Sequence, residues 1–110
     1  MNLNIDFVNK CLKNIKWYDN NTYQVEGLLK QSNKYYKFDI RYLNDFPENK
    51  KGKFVNSKSK ADKILFEDEK NWILIDTEEF IKYMKSNNLK EIKLEEIIKN
   101  IDWTIIIYKK

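Results

Sequence analysis

The sequence contains no histidine, one cysteine, one proline and two glycines. Without histidine there is no Ser-His or Cys-His nucleophile pair, no imidazole general base and no His-ligated zinc. The single cysteine, Cys11, leaves no internal disulfide and no zinc finger, and such a chain is expected in a reducing interior. Few glycines and one proline mean few tight turns and few flexible linkers. No run nears the ~18 apolar residues that suggest a membrane span. The opening MNLNIDFVNK lacks the basic-then-apolar pattern of a signal peptide. These absences lead us to expect a soluble, cytoplasmic protein with no membrane partner. Any catalysis has to run on carboxylates, lysines, tyrosines or a metal held by oxygen.

What is present is a chain of 110 residues, 42% hydrophobic and 15% aromatic. That length argues for a single domain, 1–110, and that composition argues against disorder. The net charge of +4 is uneven. Residues 1–63 carry 13 basic and 7 acidic groups, and residues 64–110 carry 8 and 10. A basic half-molecule attracts polyanions, although many mildly basic domains bind no nucleic acid.

Ile5, Val8, Leu12 and Ile15 recur at helical spacing and predict a helix over 3–16, capped by Asn2 or Asn4. Two strand patterns follow, TYQVEGLLK and YYKFDIRYL, joined by a short hairpin loop. Residues 44–63 hold the only proline, a glycine and six lysines, and are expected to form a basic mobile loop. KILF (63–66) and WILID (72–76) are continuous apolar runs, which suits strands covered on both faces. Asp76 and Glu79 can form a capping box for a helix buried through Phe80, Ile81 and Met84 and stopped at Asn87 and Asn88. LEEIIKNI (94–101) reads as a short helix with Leu94, Ile97, Ile98 and Ile101 inward, and WTIIIY (103–108) as a last buried strand. The expected fold class is α+β, a mixed β-sheet flanked by helices in the order α-β-β-β-β-α-(α)-β.

The stretch KYYKFDIRY (34–42) is where chemistry enters. Side chains alternate along a strand, so Lys37, Asp39 and Arg41 share one face, opposite Phe38, Ile40 and Tyr42. The apolar faces of the two hairpin strands must coincide, which turns Glu26 the same way as Asp39. With a two-residue loop at Ser32 and Asn33, Glu26 lies across from Asp39 and Phe38 covers Gly27. Two acids so close repel, and a divalent cation between them would stabilise the pair. Slipping the register by two places Glu26 across from Arg41 instead, an ordinary surface ion pair. Both registers stay open at this point.

The layout resembles the PD-(D/E)XK nuclease superfamily, in its phage-type and resolvase-like branch. Glu26 stands where that family has its first acid. Asp39-Ile40-Arg41 stands for acid-x-Lys, SKADKILF (59–66) for the block that follows, and WILIDTEEFIKYM (72–84) for the last block. The resemblance covers roughly residues 5–85 and implies a restriction-endonuclease-like fold. It also implies Mg²⁺ or Mn²⁺ held by Glu26 and Asp39, with Asp6 in the place of a helix-borne acid. Arg41 replaces the family's lysine. It can stabilise a pentavalent phosphate but cannot deprotonate water, and Lys37 on the same face is a candidate substitute. The catalytic candidates are therefore Glu26, Asp39, Arg41 and Lys37. Lys50, Lys51, Lys53, Lys58 and Lys60 would contact backbone phosphates, although a solvated lysine run reads the same way. Tyr35, Tyr36, Tyr42, Trp17 and Trp72 could stack on bases, but their alternation suits core and sheet positions better.

Three functions follow as expectations. One is a small metal-dependent DNA nuclease or a binder of branched DNA. Another is a catalytically dead relative that binds a protein, such as a phage-type anti-CRISPR or anti-restriction inhibitor of a host defence complex, working in the host cell interior. The third is a structural subunit of a replication or packaging assembly. A homodimer is compatible with each.

Overall fold

Six strands form one mixed sheet in a computed structural model that describes residues 5–18, 24–43, 48–49 and 52–109. The chain begins with helix α1, Ile5–Cys11, and runs directly into strand β1, Leu12–Trp17. The helix expected over 3–16 is thus cut at Cys11. Helical periodicity is a weak prior, and backbone bonding to a neighbouring strand overrides it here. β1 pairs antiparallel with β2, Val25–Leu29, and the pairing register breaks between Lys13 and Lys16. Asn14 lies in that break with a φ of 52°, a left-handed conformation that asparagine tolerates.

β2 and β3, Lys34–Tyr42, form the expected hairpin with a longer loop. Residues 30–33 make the turn, the N–H groups of Ser32 and Asn33 both donate to the Leu29 carbonyl, and Asn33 takes a φ of 57°. The four-residue turn moves the register. Val25 faces Phe38, Glu26 faces Lys37 and Gly27 faces Tyr36, so neither register expected from the sequence is the one adopted. The choice of faces survives, with Val25, Leu29, Phe38 and Ile40 buried together.

Part of the segment expected as a loop is strand. β4, Glu48–Asn49, and β5, Gly52–Val55, form a second small sheet with β8, Ile92–Lys93. The chain then enters β6, Lys63–Glu67, which lies parallel to β3, and turns back through β7, Asn71–Asp76. Asp68 makes that turn by accepting from the N–H groups of Lys70 and Asn71 at 2.8 and 2.7 Å. β6 and β7 are buried almost throughout, as continuous apolar runs predict.

Helix α2, Thr77–Ser86, starts at Asp76, whose side chain accepts from the Glu79 N–H at 2.9 Å. Phe80 and Met84 face the core with Thr77, while Ile81 is half-buried. Asn87 caps the end and Asn88 leaves it with a φ of 54°. Helix α3, Leu94–Asn100, buries Ile97. Strand β9, Thr104–Tyr108, pairs antiparallel with β7 and closes the sheet order β1-β2-β3-β6-β7-β9. It is an edge rather than the buried strand expected. Ile106 is 40% exposed and Tyr108 75%, because β7 covers only one side of its backbone.

Helices lie on both faces. Phe7, Val8 and Cys11 of α1 pack on Val25, Phe38, Ile40, Leu65, Trp72 and Leu74. Phe80 and Met84 of α2 and Ile97 of α3 pack on Ile64, Phe66, Ile73 and Ile75. The architecture is α+β with a six-stranded mixed sheet between helical layers. Burial of large side chains such as Trp72, Phe7, Phe38, Phe66 and Phe80, each 2% exposed or less, contributes about 1.5–3 kcal/mol apiece before conformational entropy is counted.

Candidate functional site

Glu26 and Asp39 point from the same face of the sheet, the face turned toward α2 and α3, but they are not opposed. Lys37 stands across from Glu26, which leaves Asp39 diagonal to it at a typical spacing of about 7–8 Å. The Tyr18 hydroxyl donates to Glu26 Oε1 at 3.0 Å. Asp39 is 7% exposed. Its Oδ2 accepts from Arg41 Nε at 3.2 Å and from Arg41 Nη2 at 3.0 Å. Arg41 Nη1 donates to the Asn56 carbonyl at 2.8 Å, and Nη2 also donates to the Lys58 carbonyl. The guanidinium carbon lies 5.8 Å from the Phe66 ring centre. Arg41 therefore spends its planar fork on holding residues 56–58 against β3, a geometry an ammonium cannot reproduce.

Asp6 does not join these acids. It is exposed on α1, and α1 packs on the opposite face of the sheet. Among the described residues no group of three or more acidic, cysteine or histidine side chains is placed to hold a metal ion. As placed, Glu26 has a tyrosine hydroxyl on one oxygen and Asp39 has two guanidinium bonds on one oxygen, so both acids are engaged with protein groups.

The lysines divide. Lys50 and Lys51 lie outside the described residues, as does the side chain of Lys53 on β5. Lys58 and Lys60 are exposed, and the Lys58 N–H is held by Asn56 Oδ1 at 3.1 Å. Lys60 borders a groove of about 610 Å³ that the sequence did not disclose.

That groove forms where the starts of β3, β6 and α2 meet. Asp62 ties the three together. Its Oδ2 accepts from the Lys37 N–H at 2.8 Å, its own N–H donates to the Lys37 carbonyl at 2.9 Å, and its carbonyl accepts from the Thr77 N–H at 3.1 Å. Beneath it lies Lys63, 4% exposed. Lys63 Nζ is 2.5 Å from Asp76 Oδ1, 3.7 Å from the Trp103 ring centre and 4.5 Å from that of Tyr36. The carboxylate and the two aromatic faces offset the cost of desolvating the ammonium. Asp76 is then fully engaged, one oxygen on Lys63 and the other capping α2.

With Asp76 neutralised, the cations at the rim are Lys60, Lys82 and Lys85, and none of them forms an ion pair among the described residues. Glu78 is the acid that lines the same groove from α2. A smaller hollow of about 230 Å³, lined by Glu26, Tyr35, Tyr36, Lys37 and Asp62, adjoins it. Tyr35, Tyr36 and Asp62 belong to both, and Tyr35 is 53% exposed between them.

Sequence reasoning missed the Lys63–Asp76 pair, Lys82 and Lys85. One signal was there: a lysine opening an otherwise apolar strand. In a tight hairpin between KILF and WILID, Lys63 meets Asp76.

Among the described residues, Cys11 is the one titrating group with a clear displacement. Burial pushes its thiol up from 9.0, while the Gln31 amide, Lys30 and Lys10 pull it the other way. It lies in the α1 core, away from the groove.

Comparison with protein-family models, with curated proteins and with solved structures finds no match to this chain.

Proposed function

We propose that this chain is a small nucleic-acid-binding protein. It grips backbone phosphates with Lys60, Lys82 and Lys85 around the groove and offers Tyr35 as a stacking surface. Its element order resembles the PD-(D/E)XK scaffold, and in this reading the acids of β2 and β3 have passed from metal binding to structure. The observation that carries the reading is the groove's charge. Four lysines, Lys60, Lys63, Lys82 and Lys85, line the groove against three acids, Asp62, Asp76 and Glu78; Asp76 is paired with Lys63, and the three rim lysines form no ion pair among the described residues. Unpaired lysines around a concave surface raise the local concentration of polyanions, and an exposed aromatic ring stacks on bases without regard to sequence.

The test is fluorescence anisotropy with a labelled oligonucleotide at several salt concentrations. Three phosphate contacts to a single strand give a slope of log K against log salt of about −2. The triple variant Lys60→Ala, Lys82→Ala, Lys85→Ala flattens that slope and weakens binding at least tenfold. Titration with Mn²⁺ in a calorimeter shows no micromolar site, and chelation leaves nucleic-acid binding unchanged. Micromolar Mn²⁺ binding abolished by Glu26→Ala would restore the metal-dependent nuclease. Nucleic-acid affinity unmoved by salt would transfer the task to a protein partner.

A further inference from the structure

The sheet has two edges, β1 and β9, and they are built differently. β1 carries Lys13 and Lys16, and its register breaks between them at the left-handed Asn14. Lysines and bulges are devices that keep a sheet edge from pairing with another chain. β9, Thr104-Ile105-Ile106-Ile107-Tyr108, has no charge, no proline and an unbroken register. Among the described residues no strand pairs with its outer side.

The backbone can be accounted for group by group. The Trp103 carbonyl accepts from the Asp76 N–H at 3.1 Å, and the Lys109 N–H donates to the Lys70 carbonyl at 2.8 Å. Bonded pairs alternate along an antiparallel ladder. Residues 103, 105, 107 and 109 therefore bond toward β7, and Thr104, Ile106 and Tyr108 turn their groups outward. The Thr104 N–H is already taken by the Asp102 carbonyl at 3.1 Å. Two donors remain on the outer side, the N–H groups of Ile106 and Tyr108, facing three carbonyls.

We propose that β9 pairs antiparallel with β9 of a second copy of this chain, about a two-fold axis at Ile106. In that register Ile106 exchanges both backbone bonds with its own counterpart. The Tyr108 N–H of each copy meets the Thr104 carbonyl of the other. Four bonds satisfy every outward donor; the Thr104 N–H is used within its own chain, which leaves the Tyr108 carbonyl of each copy to water. Ile105 falls beside Ile107 of the other copy on the α1 side, and Ile106 falls on Ile106 on the opposite side. The Lys109 ammonium at the end of the strand is already paired with Glu67 at 2.5 Å, so the choice of antiparallel pairing rests on the backbone donors alone. Two six-stranded sheets become one of twelve strands. The contact is small by the standard of stable dimers, which makes the assembly concentration-dependent, with dissociation in the micromolar range.

Sedimentation equilibrium from low micromolar to several hundred micromolar tests this. The wild-type mass rises from one chain of 13.5 kDa toward two. Ile106→Pro removes the central outward donor without touching the β7 ladder, since proline is tolerated where an edge N–H faces away from the sheet, and it stays monomeric. Ile106→Lys and Ile106→Glu are each monomeric alone, because like charges meet on the axis, and their mixture recovers the dimer. A wild type that remains monomeric at the highest concentration overturns the proposal. So does a dimer that survives all three substitutions, or a mixture no heavier than its components. If the proline variant unfolds, the lysine and glutamate pair decides the matter alone.

Discussion

Glu26 stands directly across from Lys37, two residues along β3 from the place where it would have met Asp39. The charge of Asp39 is met instead on its own strand, by Arg41, at 10% and 13% side-chain exposure. Removing one partner of so enclosed a pair leaves the other unpaired in a poorly solvated place. Arg41→Ala is expected to lower stability by about 3 kcal/mol, read as a fall in the urea midpoint. Arg41→Lys recovers less than half of it, because an ammonium cannot bond Asp39, Asn56 and Lys58 together. Glu26→Ala costs about 0.5–1.5 kcal/mol, one hydrogen bond from Tyr18. Losses at Glu26→Ala and Asp39→Ala that fail to add in the double variant would mean that the two acids act as one site after all.

Lys63 and Asp76 should fail unequally. Lys63→Met keeps an apolar stem between Trp103 and Tyr36 and leaves a half-buried carboxylate that still caps α2, at a cost of about 1–3 kcal/mol. Asp76→Ala removes the cap and strands a buried ammonium, a loss of about 3–5 kcal/mol. Asp76→Asn, which can still cap, falls between them. The three urea midpoints give the order directly, and a reversed order would show that the aromatic cage holds the lysine without its acid.

Gly27 is closely packed against β1. A Cβ there would sit 3.2 Å from the Lys13 carbonyl oxygen and 3.2 Å from Ile15 Cγ2. The isoleucine side chain can turn away, whereas the carbonyl is backbone at the β1 bulge and gives less readily. Gly27→Ala is expected to destabilise by about 1 kcal/mol, the strain outweighing the entropy alanine removes from the unfolded chain. Thermal unfolding measures it, and a stabilised variant would show that the bulge relaxes.

Cys11 supplies a pH dependence whose sign is set by burial. The folded thiol keeps its proton above pH 9.0, where the unfolded chain releases it. Its contribution to stability is fully present below pH 9.0 and is lost as the pH rises beyond that value. Wild type should lose more stability than Cys11→Ala between pH 8 and pH 9.5. Alkylation of the thiol at pH 8 should be slow until urea unfolds the chain. Rapid alkylation of the folded protein would place the thiol outside the core.

The elements that were legible in the sequence share a property. KILF, WILID and the cap at Asp76 are signalled by residues within a few positions of one another and appear where they were expected, although only half of the capping box forms: Asp76 accepts from the Glu79 N–H, while its own N–H goes to the Trp103 carbonyl. The alternation that turns Glu26 and Asp39 to one face is equally local. The misreadings share the opposite property. Ile5, Val8, Leu12 and Ile15 fit a helical stripe, yet the backbone of Leu12 is claimed by Leu29 across a strand pair. WTIIIY looks like a buried strand until the sheet order ends on it.

The candidate site divides in the same way. That lysines would gather on a surface followed from composition, but the three at the groove rim come from two places in the chain, Lys60 before β6 and Lys82 and Lys85 on α2. Their convergence depends on Asp62 tying β3 to the start of α2, a contact between residues 15 and 25 positions apart.

Sequence alone determined which way side chains point and where α2 begins, because the pleat and the cap are local geometry. Which residue each side chain meets was decided by the tertiary structure. A four-residue turn set the register that joins Glu26 to Lys37, and the packing of two faces chose which strands lie at the edges. Register and edge are properties of pairs of segments, and the free energy that selects them is shared across the whole core.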